Sequence, residues 1–497
     1  RVRTVTQPVA SSTVAPVPVS ARTGRLPTQL PLHPLLLAAW PVLRLYGDNV
    51  NEFSLGELAL PLATAVGLAV VTLLVLTLLW RQPQRAAIVT SAFVLPFLSF
   101  GVIAELLVPV WPNEPLFRAY LLALVIWLVI LAAAMYFAAK LRGSLGRVTE
   151  ALNLVSLVLV VVSLVPIITY ELAARSQQPA SSGSTQSVAV GADAQGTEGM
   201  RDIYHIVLDR YGSDDSLSVG LGIDNSAFTA SLKERGLHVV EGSHANLERT
   251  AQSLASTFDR SLLEDLAERM GPDNPDWGPI YGLVRRSPVG SLLQDLGYRY
   301  FHLGSWFHLT ASSDTADQVV RSGYLMDLQS VLWGQTAFDR LSFVADALVS
   351  IELDDIHRRM ARTTLTQVEQ LHEVVGQDGP KYVFAHLLVP HDPFMLLADG
   401  SMAPDQASFA TQLDYANAEL DRLLDVLLDG PEEEHPIIIV QADEGPYPAG
   451  YNPGDVDFDW ETASDEAFVT KFGVLNAMYL PGPEGAAPVP TDLSLVN

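Results

Sequence analysis

Cysteine is absent from the 497 residues, and charge is scarce: only 17% of positions are Asp, Glu, Lys or Arg. Without cysteine there are no disulfides, thiolate metal sites or cysteine nucleophiles, although that absence alone assigns no compartment. Basic residues are the scarcer sign, 30 Lys and Arg against 56 Asp and Glu. The imbalance argues against nucleic acid as a partner and against adhesion to anionic lipid through charge alone, since both require a basic surface. It is also unevenly placed: residues 1–200 carry 12 Lys and Arg against 9 Asp and Glu (+3), whereas residues 201–497 carry 18 against 47 (−29).

What the chain has in abundance is long apolar runs, all in its first third. Segments 58–80, 87–107, 117–139 and 149–170 each reach the roughly 20 residues a helix needs to cross a bilayer core. A fifth, 30–47, contains Pro34, Pro41 and Arg44. It is expected to span with Arg44 snorkelling; the alternative is an interfacial helix. The short loops set the orientation. Arg81 to Arg85 and Lys140 to Arg147 are basic without an acid, hence cytoplasmic, whereas 47–57 and 105–115 carry acids and no Lys or Arg. The last span therefore leaves the cytoplasm. The expectation is a multi-pass protein of the plasma (cytoplasmic) membrane with a large extracytoplasmic C-terminal domain.

The expected domains are a disordered tail (1–27), a transmembrane domain of about five helices (28–172), a Ser/Gly/Ala/Gln-rich linker (173–200) and an outer domain (201–497). The chain lacks an initiating Met and stops at Leu495-Val496-Asn497, so a C-terminally truncated fragment is expected. In the outer domain, 203–209, 236–240, 298–303, 381–388 and 436–441 read as strands, and 226–235, 250–270, 351–375 and 407–428 as helices. Such alternation predicts a doubly wound, mostly parallel α/β sheet. Ligands then sit beyond the carboxyl ends of the strands.

Three of those ends carry groups able to bind metal or move protons: Asp209 after IYHIVL, His386 and His391 in KYVFAHLLVPHDPF, and Asp443-Glu444 after PIIIVQA. Singly, each acid reads equally as a cap or turn residue. Thr250, near the start of an amphipathic helix, reads as an N-cap or as a nucleophile, because a hydroxyl at a helix N-terminus sits in positive potential. Asn246, four residues earlier, could orient substrate or simply make a turn. His302 and Trp306, in FHLGSWFH, could line a substrate pocket or belong to a buried strand and loop.

LDRYG, a Thr within NLERTAQSLAS, VPHDPF and QADEGP, in this order, resemble the alkaline phosphatase superfamily. The resemblance is closest to its membrane-anchored, sulfatase-like branch, which includes lipoteichoic acid synthases and phosphoethanolamine transferases. It implies an α/β domain of alkaline phosphatase type after about five spans. It further implies one divalent metal held by Asp209, Thr250 and Asp443, with Thr250 as nucleophile. His391 would contact the phosphoryl group or transfer a proton, with His386 as a companion. The family's Asp-His-Gly is here Asp443-Glu444-Gly445. Glu444 remains a competent ligand, and three carboxylates with a hydroxyl suit Mn or Mg, and also Ca, better than Zn. The other reading is a site that has lost its metal. Most sulfatases of the superfamily need a Cys or Ser in a Cys/Ser-x-Pro-x-Arg stretch, which Thr250-Ala-Gln-Ser-Leu is not, so phosphoryl chemistry is favoured. The expected activity is transfer of a phosphorus-containing head group, of phosphoglycerol or phosphoethanolamine type, from a membrane lipid donor to an envelope glycan or lipid acceptor. A hydrolase with the same site and a non-catalytic envelope protein are the alternatives.

Overall fold

In the computed structural model the described residues are 30–50, 52–53, 55–107, 116–140, 145–177, 200–271, 274, 276–321, 328–341, 356–451 and 458–481. The expected tail at 1–27 and most of the expected linker at 173–200 lie outside them.

The apolar first third forms helices His33–Asp48, Ala59–Trp80, Pro83–Leu98, Phe100–Glu105, Leu116–Lys140 and Gly146–Gln177. Within them Leu55–Trp80, Arg118–Lys140 and Gly146–Leu172 are long and apolar enough to cross a membrane. The helices at His33–Asp48 and Pro83–Leu98 have 16 residues each, short of the roughly 20 that span a bilayer core at full length. The apolar run expected at 87–107 is interrupted because Ser99 leaves helical geometry (φ −109°, ψ 19°) between two helical pieces. Small residues mark where the helices approach, with Ala38, Ala69, Ala86 and Ala87 fully buried. Leu78, Leu79, Val129 and Val162 stand more than half exposed, as side chains facing lipid would.

Beyond residue 200 the chain builds a seven-stranded sheet: β1 Ile203–Leu208, β2 His238–Val239, β3 Arg299–Gly304, β4 Gln318–Arg321, β5 Lys381–Leu387, β6 Ile437–Ala442 and β7 Asn476–Tyr479, in the order β2-β7-β6-β1-β5-β3-β4. From β6 to β4 the neighbours run parallel; β7 is antiparallel to both β6 and β2. The five expected strands are present with ends shifted by a residue or two. The short β4 and the late edge strand β7 are additions, and the expected helix 250–270 is two helices, Thr250–Asp259 and Glu264–Met270. Arg260 and Leu263 both adopt positive φ (56° and 60°) between them, a conformation that ends a right-handed helix.

Both sheet faces are covered. Tyr204, Ile206, Leu208, Val383, Ala385, Leu387, Ile438 and Val440 pack on one side with helices Ile356–Val375 and Phe409–Leu427. Val207, Tyr382 and Phe384 pack on the other against Ala251, Leu254, Ala255 and Phe258 of the helix Thr250–Asp259. This alternation is the period-2 geometry of a strand buried on both faces.

Candidate active site

The middle of the sheet, β6-β1-β5, brings the chemistry together. Leu208 pairs with Ala442 on one side and Leu387 on the other, so Asp209 and Asp443 each follow a residue of the same row. The ladder continues one step further, since Asp209 N–H donates to Leu387 O at 2.9 Å. Val207 pairs with His386. By strand alternation Val207 and His386 share the face covered by Thr250–Asp259, and Asp209 and Asp443 follow β1 and β6 directly at the same edge, with Arg210 and Glu444 next in the turns beyond the strands.

On the first face, one ligand atom each from Asp209, His386 and Asp443 lies within 4.8 Å of the others, and all three residues are buried. His386 Nε2 is 3.4 Å from Asp209 Oδ2 and 4.0 Å from Asp443 Oδ2. Asp209 Oδ1, His386 Nε2 and Asp443 Oδ2 are buried with no hydrogen-bond partner. Orphaned buried polar atoms are rare, and one on each member of a group whose ligand atoms lie within 4.8 Å of one another fits a cation. His386 is already oriented for that role: its Nδ1 is 2.9 Å from Thr310 Oγ1, which in turn is 2.8 Å from Ser305 Oγ. A ring nitrogen held by a hydroxyl leaves the other free to ligate.

The charges agree. Burial pushes the Asp443 carboxyl up to about 7, with the neighbouring Asp209 and Glu444 adding to the effect. Burial would also raise Asp209, but the His391, His386 and Arg210 charges outweigh it and hold Asp209 well below the usual carboxylate range. Burial lowers His386, yet Asp209, Asp443 and Glu444 outweigh it and raise the imidazole. Crowded carboxylates of this kind are neutralised by a cation or a shared proton.

Thr250 is the first residue of its helix, after an extended Arg249 with no side-chain cap, so it is not the N-cap. It lies near enough to the Asp443 carboxyl to lower its pKa. His391 lies near enough to Asp209 to lower its pKa, with its ring 5.9 Å from that of Trp306. The His391 loop is braced by Gln412, whose Nε2 donates to His391 O (2.8 Å) and whose Oε1 accepts from Met395 N–H (2.8 Å). Asn246 Nδ2 is buried without a protein partner.

Two expectations change. His302 is fully buried, with Nδ1 3.2 Å from Tyr300 Oη and Nε2 2.9 Å from Thr310 O. A side chain so enclosed supports the Thr310 loop rather than touching substrate. Glu444 lies outside the three-residue group and is held by two cations: Oε2 accepts from Lys471 Nζ at 2.8 Å and Oε1 from Arg210 Nε at 3.3 Å. With an imidazole among the donors in place of that third carboxylate, the expected preference for Mn or Mg over Zn loses its basis.

The Glu444 network was not legible in the sequence. Lys471, in the helix Asp465–Phe472, is fully buried, with its ammonium 4.5 Å from the Tyr447 ring centroid. Arg210, at φ 61°, donates its backbone N–H to Asp443 Oδ1 (3.2 Å), stacks over Tyr447 at 3.5 Å and pairs with Asp392. Gly445 permits the approach: its N–H donates to Lys471 O (2.8 Å), and a Cβ there would meet Thr470 O at 2.4 Å. Arg210 also lines a cleft of about 410 Å³ with Leu221, Pro390, Phe394, Phe409 and Tyr447. Only the position of Arg210 immediately after Asp209 hinted at it.

No protein-family model matches the chain, and no curated protein matches it. Among solved structures it is similar to the C-terminal periplasmic domain of EcEptC from Escherichia coli in complex with Zn: 14% identity, TM-score 0.36, 61% of this chain and 81% of that one. It is similar to the lipoteichoic acid synthase LtaP from Listeria monocytogenes at 12% identity and TM-score 0.36, covering 59% and 68% of the two chains. It is also similar to the integral membrane protein lipooligosaccharide phosphoethanolamine transferase A (EptA) from Neisseria meningitidis at 10% identity and TM-score 0.35, covering 91% and 87%. Similarities this weak assign no activity, and what the site can do follows from its own geometry.

Proposed function

We propose that this chain is a membrane-embedded enzyme of the alkaline phosphatase superfamily. Its reaction is transfer of a phosphorus-containing head group, of phosphoglycerol or phosphoethanolamine type, from a lipid donor to an envelope glycan or lipid acceptor. The observation that carries this reading is the grouping of buried Asp209, His386 and Asp443, with ligand atoms within 4.8 Å of one another and a partnerless polar atom on each, together with Thr250 at a helix N-terminus. A divalent metal held by Asp209, Asp443 and His386 would supply positive charge that favours an ionised hydroxyl and offsets charge on phosphoryl oxygens. Glu444 is a counter-ion in this scheme.

Thr250 Oγ1 attacks phosphorus in line, forming the Oγ1–P bond as the bond to the lipid alcohol breaks; His391 protonates the departing oxygen. The acceptor hydroxyl then attacks the phospho-threonine, releasing Thr250 and giving up its proton to His391. Arg210, fixed over Tyr447 at the cleft, offers a guanidinium to phosphoryl oxygens, where preorganised charge is most effective. The basic residues Arg81, Arg85, Lys140 and Arg147 orient the membrane helices with the outer domain extracytoplasmic.

The test is full-length protein in nanodiscs with head-group-labelled phosphatidylglycerol or phosphatidylethanolamine, an acceptor glycan and added Mn, Mg or Zn. Label on the acceptor, and on a Thr250 peptide by mass spectrometry, is expected; Thr250→Ala should lose both. Free head group alone would make it a hydrolase. Absence of metal binding, with Thr250→Ala equal to wild type, would sink catalysis altogether.

A further inference from the structure

Among the described residues, the outer domain meets the membrane helices near one end. Arg285 pairs with Glu57 (2.9 Å), and Tyr170 Oη donates to Asp276 (3.1 Å). His308 lies 5.8 Å, ring to ring, from Phe53. Glu57 opens one helix, Tyr170 lies near the close of another, and Phe53 falls in the loop between the first two. The basic residues Arg81, Arg85, Lys140 and Arg147 mark the opposite end.

The segment 328–341, part of the outer domain by sequence, goes further and packs among the helices themselves. Leu328 and Leu332 are buried in one apolar cluster with Val42, Ala65, Leu98 and Ile167. Ala337 joins Phe100, Ala104 and Ala119 in another. Thr64 Oγ1 donates to Gln329 Oε1 (3.2 Å), and Gly101 N–H donates to Gln335 O (2.8 Å). Arg340 reaches back to Glu105 (3.7 Å) and Tyr120 Oη (3.3 Å). Yet Trp333 and Phe338 are 42% and 64% exposed, as are Val102 (47%) and Leu106 (73%) of the adjoining membrane segment. An outward aromatic pair on a segment wedged at the ends of membrane helices has the composition of an interfacial belt.

We infer that Leu328–Leu341 is a membrane-seated element of the outer domain, and that Trp333 and Phe338 lie in the headgroup–acyl boundary of the bilayer. The partner is the lipid interface, because the exposed aromatics continue the lipid-facing surface of the helices on which the segment packs. It fixes the height of the outer domain above the bilayer. The inference rests on the helical region and not on the proposed reaction.

Since the chain contains no cysteine, single-cysteine labelling tests it directly. Phe338→Cys, Trp333→Cys and the exposed outer-domain control Glu433→Cys would each carry an environment-sensitive maleimide fluorophore in nanodiscs, with and without brominated acyl chains. Blue-shifted emission and several-fold stronger quenching by brominated lipid at 338 and 333 than at 433 are expected. Water-like emission and quenching equal to the control at both sites would overturn the inference. So would protection appearing only when two copies share a nanodisc, which would assign the surface to self-association.

Discussion

Asp443 and Glu444 are neighbours in sequence and occupy two differently built regions. Asp443 belongs to a group of three buried residues, each with a polar atom left without a partner. Glu444 belongs to a closed network in which both carboxylate oxygens are bound, by Lys471 and Arg210. The difference arises in the turn that follows β6. There Asp443 stays beside Asp209 and His386, while Glu444 is drawn to Lys471 and Arg210. Two adjacent acids can thus serve unlike purposes, one left open for a cation to be bound and one already neutralised by cations of the protein.

The comparison breaks most sharply on the closed side. Lys471→Met leaves the buried Glu444 with one partner and should destabilise the outer domain by about 3–5 kcal/mol, read by chemical denaturation. The double variant Lys471→Met/Glu444→Gln should recover most of that loss. Equal stability of the single variant and wild type would mean the network contributes nothing. On the open side, Asp443→Ala should weaken divalent metal binding by more than about 100-fold in calorimetry, about 2.7 kcal/mol, while removing carboxylate repulsion that works against folding. Metal affinity unchanged by that substitution would remove Asp443 from the site.

Smaller effects sharpen the boundary between the two regions. Gly445→Ala drives a Cβ to 2.4 Å from Thr470 O and should cost about 1–3 kcal/mol, separating Lys471 from Glu444 with little change in metal affinity. Thr310→Val removes the hydroxyl that orients His386, and should lower metal affinity about 10-fold with thermal stability nearly retained. A Thr310→Val variant that binds metal as wild type does would show that packing alone fixes the imidazole.

Much of this was readable from residue order. The apolar runs placed the membrane helices, and β-branched strands ending on Asp209 and Asp443 placed two of the three residues that lie together. His386 was read as a substrate contact because nothing in KYVFAHL shows that its ring is held by Thr310, 76 residues away in sequence. For His302 the sequence leaves a pocket lining and a buried strand open, because a histidine followed by aromatics fits both, and burial favours the second. Lys471 carried no signal, since a lysine in an amphipathic helix is usually solvated.

The sequence by itself determined which segments are helix or strand, how charge divides between them, and which residue types stand at the strand ends. Tertiary structure alone decided the register of β6-β1-β5, and with it which acid faces Thr250 and which faces Lys471. A register shift of one residue would turn every side chain of β6 to the other sheet face and carry Asp443 out of line with Asp209 and His386. Composition and periodicity are local properties of the chain, whereas register is set by the packing of both sheet faces at once.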